Sequence, residues 1–292
     1  MRALDLVKLS ALMEMTSGRP STVIGLIDGP VATDHPDFAL SHIRIILTKL
    51  SSTCAHVDSV ACQHGTFVAG ILSAQRGSSA PAICPGCTLL IHPIFAEDTP
   101  ASGGIPSAMP EALADTIIEC VRVGAHVLNI SAAIAQPSSK GDRALQQALD
   151  YAAKRGTIVV GAAGNQGTLG STAITRHAWV IPVASFDLRG RPMDHSNLGN
   201  SVGRGVGAPG DRITSLSIGG KPLTFGGTSV ATPFVTGAIA LLWSEFPNAS
   251  AAQIKLAITR TYAARRSVVP PLLNVWGAYQ SLLTTQRGGG RL

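Results

Sequence analysis

Apolar positions along the chain fall into two alternating kinds of run. Thr22–Ile27, Thr88–Phe95, His126–Ser131, Thr157–Asn165 and Trp179–Ala184 are short, almost unbroken apolar stretches, the pattern of strands buried on both faces. His42–Leu50 reads as a further strand. Between them, Ser107–Val123 and Asp142–Arg155 carry apolar residues at helical spacing, and Gly156 closes the second. His64 opens a helix of small and apolar residues, and Val230 to about Phe246 is a long helix apolar on every side. Ser250 caps Ala251–Tyr262, and Asn274–Leu283 forms a last helix. Leu4, Val7, Leu9, Leu12 and Met13 recur at near-helical spacing before a stop at Gly18 and Pro20. Strands alternating with helices of this length predict an α/β fold, a single-domain doubly wound, mostly parallel sheet flanked by helices. The expected organisation is an N-terminal helix over 1–20 packed on a domain over 21–284, with a disordered tail over 285–292.

Composition narrows the function. The 292 residues are 45% hydrophobic and 14% charged, enough apolar material for one large core. A net charge of +6 raises nucleic acid as a partner, but the basic residues are scattered and no nucleic-acid motif is present. Asp5, Lys8 and Glu14 interrupt the N-terminal apolar run, so neither a secretory signal nor a membrane span is expected, and the compartment expected by default is the cytoplasm. Five cysteines fit reduced thiols better than a disulfide framework.

Polar residues gather where strands end and helices begin. Asp28 ends the first apolar strand, where a parallel sheet collects functional groups, although Asp before Gly29-Pro30 is also ordinary turn chemistry. His64 begins a helix, where it would otherwise be a cap or a satisfied core residue. Asn165 ends another strand between glycines. Ser229 follows Gly226-Gly227-Thr228 at the start of the long helix, facing free N–H groups and the positive helix end, with Pro233 expected in the first turn. A serine there is also an ordinary N-cap. Together the four supply a base, an orienting acid, a nucleophile and an oxyanion donor, the set that acyl transfer needs.

These motifs resemble the subtilisin-like serine proteases (subtilases). Asp28 with His35-Pro36-Asp37 is similar to the family's Asp region, and His64-Gly65-Thr66-x-Val68-Ala69-Gly70 to its His region. Ala162-Ala163-Gly164-Asn165 and Gly227-Thr228-Ser229-x-Ala231-x-Pro233 resemble its oxyanion and serine regions. The resemblance implies Ser229 as nucleophile, His64 as general base and Asp28 as its orienting acid, with Asn165 in the oxyanion hole. It also implies that Asn129, Ser131, Ala132, Ala133, Ala163 and Gly164 line the peptide substrate, by strand addition. Departures are Gly29-Pro30 after the acid, Phe67 in place of a second histidine, and Ala132-Ala133 where glycine is common. The segment Gln166–His177, expected to line the first specificity pocket, is short.

No cofactor is expected. Asp37 matches a calcium-binding position of some relatives, but Gln75–Ala82 lacks the oxygen ligands that calcium needs. Cys84-Pro85-Gly86-Cys87 could be redox-active, a local disulfide, half a zinc site or simply buried thiols; a second pair of zinc ligands is lacking, and Cys62 reads as an inert buried residue. Cys84–Cys87, Ala173–His177 and Gly226–Leu242 are further similar to subtilases of the cyanobactin maturation type, which implies a ribosomal precursor peptide as substrate. A peptide-binding pseudoenzyme and a general degradative protease are the other readings. An esterase is disfavoured because the Ser229 segment lacks a Gly-x-Ser-x-Gly elbow.

Overall fold

A computed structural model describes residues 3–38, 42–46, 54–97, 107–131, 133–134, 139–198, 204–259 and 267–288. The strands are β1 (Val23–Asp28), β2 (Ile43–Ile45), β3 (Thr88–Pro93), β4 (Ser107–Ala108), β5 (Val127–Ile130), β6 (Ala133–Ile134), β7 (Ile158–Ala162), β8 (Val180–Phe186), β9 (Val206–Pro209), β10 (Ile213–Ser215) and β11 (Leu223–Phe225). The helices are α1 (Ala3–Leu6), α2 (Ser10–Met15), α3 (Val60–Ser73), α4 (Pro110–Arg122), α5 (Ser139–Arg155), α6 (Thr228–Glu245), α7 (Ala251–Thr259) and α8 (Val275–Gly288).

Seven strands form one sheet in the order β2-β3-β1-β5-β7-β8-β9, and every pairing is parallel. The chain runs outward from β1 to β2 and β3 on one side, then crosses back to β5 on the other. This reversal of order at β1 opens a crevice beyond the carboxyl ends of β1 and β5. Asp28 is the last residue of β1, and Ser131 follows β5. β3, β8 and β9 are buried along their whole length, which is why Thr88–Phe95 and Trp179–Ala184 read as apolar runs; β9 has no counterpart in the sequence reading.

Two apolar clusters cover the two faces. One joins α2, α3, α6, α7 and α8 to the sheet, and the other joins α4 and α5. α6 lies inside the first cluster, with every residue except Glu245 buried, so its all-round apolar sequence has a core on all sides. Among the described residues no helix is long and apolar enough to cross a membrane.

Several elements differ from the sequence reading. The N-terminal helix is two short helices broken at Val7–Leu9, with Lys8 at φ 53°. The Val7 carbonyl accepts the Val275 N–H at 3.0 Å, a tertiary bond that competes with helix continuation. α3 begins at Val60 rather than at His64, because the Ser59 side chain caps it by accepting the Cys62 N–H. Ser107 and Ala108 form β4 instead of opening α4. β2 covers only the first part of His42–Leu50, of which 47–50 lie outside the described residues. α8 continues to Gly288, past the expected start of the tail at 285, and 289–292 lie outside the described residues. The expected end of α7 at Tyr262 also falls outside them. Cys62 is not an inert thiol: it is joined to Cys54 in a disulfide, while Cys84, Cys87 and Cys120 are free and buried. The all-reduced expectation is corrected accordingly.

Candidate active site

Backbone contact, rather than side-chain packing, brings the acid and the base together. A Cβ on Gly29 would lie 2.0 Å from the Ala61 carbonyl oxygen, and one on Gly65 would lie 2.4 Å from that of Pro30. The β1 exit loop therefore rests directly on α3, and His64 faces Asp28. The His64 Nδ1 stands 2.7 Å from Asp28 Oδ1, which also accepts the Gly29 N–H at 2.7 Å. Asp28 is 1% exposed. Burial disfavours the imidazolium of His64, but the charge of Asp28 and its hydrogen bond outweigh that, and the His64 pKa lies above its ordinary 6.5. With Nδ1–H on Asp28, Nε2 carries the lone pair. That Nε2 and Asp28 Oδ2 are buried and take no hydrogen bond in the structure. The acid–base arm is thus formed while the base–serine arm is open, as is common before substrate tightens a site.

Ser229 is the second residue of α6 and is 5% exposed. Gly227 precedes the helix at φ 122°, a conformation that favours glycine, and a Cβ there would meet Asn165 Nδ2 at 3.0 Å. The N–H groups of the first turn divide in a definite way. Thr228 N–H goes to Asn165 Oδ1 at 2.9 Å, and those of Val230 and Ala231 go to the Gly227 carbonyl. The Thr228 hydroxyl adds a second donor to Asn165 Oδ1 at 3.1 Å and accepts the Gly164 N–H at 3.2 Å. Two donors on Oδ1 fix which end of the Asn165 amide is oxygen and leave Nδ2 as its donor end.

The other expected residues fall differently. Asn129 is fully buried, and its side chain bonds Ser131 and Thr236 instead of facing a substrate. Ser131 donates to the Ser229 carbonyl. Ala133 lies in β6, paired with β4, and Ala132 is outside the described residues. The Ala163 carbonyl accepts Asn197 Nδ2 at 3.1 Å, and the Gly164 carbonyl accepts the Asn197 N–H at 2.8 Å. Asn197, unremarked in the sequence, thus ties down the segment leading to the oxyanion asparagine. Its Oδ1 further accepts the N–H groups of Gln166 and Thr168. Thr228 lay within the serine motif but had no role assigned. Asn197 carried no signal beyond being polar in a loop, and Thr228 none beyond its place in that motif.

Near Asp37, Gln75 donates its backbone N–H to the Asp37 carbonyl and its amide to the Pro36 and Phe38 carbonyls. No three acidic, histidine or cysteine side chains converge as a metal site among the described residues.

A parallel α/β sheet with a buried Asp–His pair and a serine at the N-terminus of a buried helix is the architecture of a subtilisin-like domain. The chain belongs to the subtilase family, whose profile matches residues 19–282. It is 29% identical over 239 residues to a thermostable alkaline protease of Halalkalibacterium halodurans, covering 82% of this chain and 61% of that protein. It therefore spans somewhat over half the length of that relative. Among solved structures, a mutant of the protease domain of PatA superposes with a TM-score of 0.82 at 31% identity, over 92% of this chain and 97% of that one. The prenylagaramide maturation protease PagA gives 0.78 at 27% identity, over 94% and 98%.

Proposed function

We propose that the protein hydrolyses peptide bonds through an acyl-enzyme on Ser229 and that its substrate is a ribosomal precursor peptide. The observation that carries the chemistry is the 2.7 Å Asp28–His64 contact at the mouth of the crevice, with Ser229 opening α6 beside the oriented Asn165 amide. His64 Nε2 takes the Ser229 hydroxyl proton as Oγ attacks the scissile carbonyl, and Asp28 stabilises the imidazolium that results. Negative charge on the carbonyl oxygen is met by Asn165 Nδ2 and the Ser229 N–H. The imidazolium then protonates the leaving amine, and water activated by the same Nε2 releases the acyl group.

The precursor-peptide assignment draws on likeness to PatA and PagA, which are described as patellamide and prenylagaramide maturation proteases. The substrate is proposed to run as an extended strand past Ser131–Ala133 toward Gly164. We place the cleavage in the cytoplasm. Thiol trapping in intact cells tests this: Cys54 and Cys62 recovered as a disulfide there count against the cytoplasm, and recovered as thiols support it. The test of the substrate is digestion of a precursor peptide beside casein, with the products mapped by mass. Cleavage of the precursor at one bond, with casein left intact, supports processing. Indiscriminate cutting of both means a degradative protease, and binding of peptide without turnover means a pseudoenzyme.

A further inference from the structure

Pro233 lies inside α6, beyond the first turn where the sequence placed it. A proline there supplies no N–H, and the carbonyl deprived is that of the residue four positions back, Ser229. The same ring crowds that carbonyl. The nucleophile's own peptide is thus the weak point of the helix.

Ser131 fills the gap. Its Oγ donates to the Ser229 carbonyl at 3.1 Å. Behind it, Asn129 Nδ2 donates to Ser131 Oγ at 2.9 Å, and Thr236 Oγ1 donates to Asn129 Oδ1 at 2.9 Å. Asn129 and Thr236 are fully buried and Ser131 is 3% exposed, so water does not compete. The chain of bonds has one direction. The Thr236 hydroxyl has one proton and two acceptors in reach, Asn129 Oδ1 at 2.9 Å and the Thr232 carbonyl at 3.3 Å; donation to the nearer leaves the Asn129 N–H groups for Ser131. Ser131 Oγ, already accepting, turns its proton to the Ser229 carbonyl. Thr236 stands two turns along α6 from Ser229, and Asn129 is in β5, so the network staples the nucleophile's helix to the strand that borders the crevice.

We infer that Ser131, held by Asn129 and Thr236, is a positioning residue: it replaces the backbone bond lost at Pro233 and sets the orientation from which Ser229 Oγ reaches His64 Nε2. This rests on the reading of Ser229 as nucleophile. A misplacement of about 1 Å at such a group costs about 10²-fold in rate.

The test is a four-protein cycle of wild type, Ser131→Ala, Pro233→Ala and the double variant, measured for kcat, KM and melting temperature. In the Pro233→Ala background residue 233 regains an N–H for the Ser229 carbonyl, so the Ser131 hydroxyl becomes dispensable. Ser131→Ala alone is expected to lower kcat by about 10- to 100-fold with KM within about twofold. The double variant is expected to match Pro233→Ala within a few-fold. Thr236→Val, which leaves Ser131 in place, is expected to give the same kcat-only pattern at a smaller size, and it serves if Ser131→Ala does not fold. Losses that multiply independently in the two backgrounds overturn the inference, as does coupling seen in melting temperature but not in kcat. A wild-type protein that neither cleaves peptide nor reacts with a fluorophosphonate removes the nucleophile reading itself, and this inference with it. That outcome is distinct from uncoupled losses in an active enzyme.

Discussion

The Nδ1 of His64 stands 2.7 Å from Asp28 Oδ1 because two glycines, Gly29 and Gly65, let the β1 exit loop and α3 meet backbone to backbone. Every later step of the proposed chemistry depends on that contact. It also accounts for Gly29 following the acid: any side chain there would strike the Ala61 carbonyl. The acid's other oxygen, Asp28 Oδ2, is buried with no hydrogen bond in the structure.

Gly29→Ala and Gly65→Ala are therefore expected to abolish activity and to cost about 3 kcal/mol of stability, because backbone atoms cannot rotate away from the new methyl. Gly219→Ala, whose Cβ meets nothing within 4 Å, is the neutral control. Denaturant melts and peptidase assays of the three variants check this.

The pH dependence follows from His64. Its base form is the active one, and its pKa is raised above 6.5, so kcat/KM should climb along a limb centred above pH 6.5. Asp28→Asn removes the negative charge that raises the pKa and weakens the hydrogen bond, leaving burial, which lowers it. The limb should move to lower pH while the rate falls about 10⁴-fold. Stability has the opposite sign. The Asp28–His64 pair stabilises the fold fully below pH 6.5, and that contribution is lost as pH rises through the raised value. Melting curves of wild type and Asp28→Asn across pH 5–9, set beside the rate profiles, separate the two.

Asn165→Ala is expected to reduce kcat by about 10²–10³-fold with little change in KM, the usual loss for one oxyanion donor. Thr228→Val keeps the backbone donor to Asn165 Oδ1 and loses only the hydroxyl at 3.1 Å. It should lose about tenfold, in kcat. Equal losses in the two variants would contradict the assigned amide orientation. Steady-state kinetics on one peptide substrate suffice.

Asn197→Ala is expected to act on selectivity. Its side chain bonds Ala163, Gln166 and Thr168, and its removal leaves several backbone groups unpaired at a cost of about 2 kcal/mol. The first specificity pocket should loosen, so cleavage of a peptide library should broaden while the preferred peptide is still cut.

The fold and the positions of the four candidate groups were legible because both rest on local pattern. Unbroken apolar runs gave β1, β3, β5, β7 and β8, and the all-apolar α6 could only be a core helix. Asp28, His64, Asn165 and Ser229 stood out as polar residues at the ends of such runs. What escaped depends on contacts distant in sequence. Val7 leaves its helix for Val275, Cys62 pairs with Cys54, and Ser131 serves the Ser229 carbonyl 98 residues away. The cap at Ser59 was a local signal passed over in favour of His64. Asn129 matched a substrate-lining motif, but its burial is decided by α6 packing over β5, which no periodicity reports.

Three free thiols and one disulfide are expected in the native chain, in place of five thiols. Thiol titration of the denatured, unreduced protein should return three, with the missing pair mapped to one peptide linking Cys54 and Cys62. A Cys54→Ser and Cys62→Ser double variant should lose up to about 3 kcal/mol of stability.

The most direct measurement is intact mass and peptide mapping after treatment with a fluorophosphonate, beside Ser229→Ala. A single adduct on Ser229, absent from the alanine variant and suppressed in Asp28→Asn, is the predicted result, since only an assembled base and oxyanion hole make that hydroxyl reactive. A folded wild-type protein that takes up no adduct, or carries it on another residue, would contradict the account.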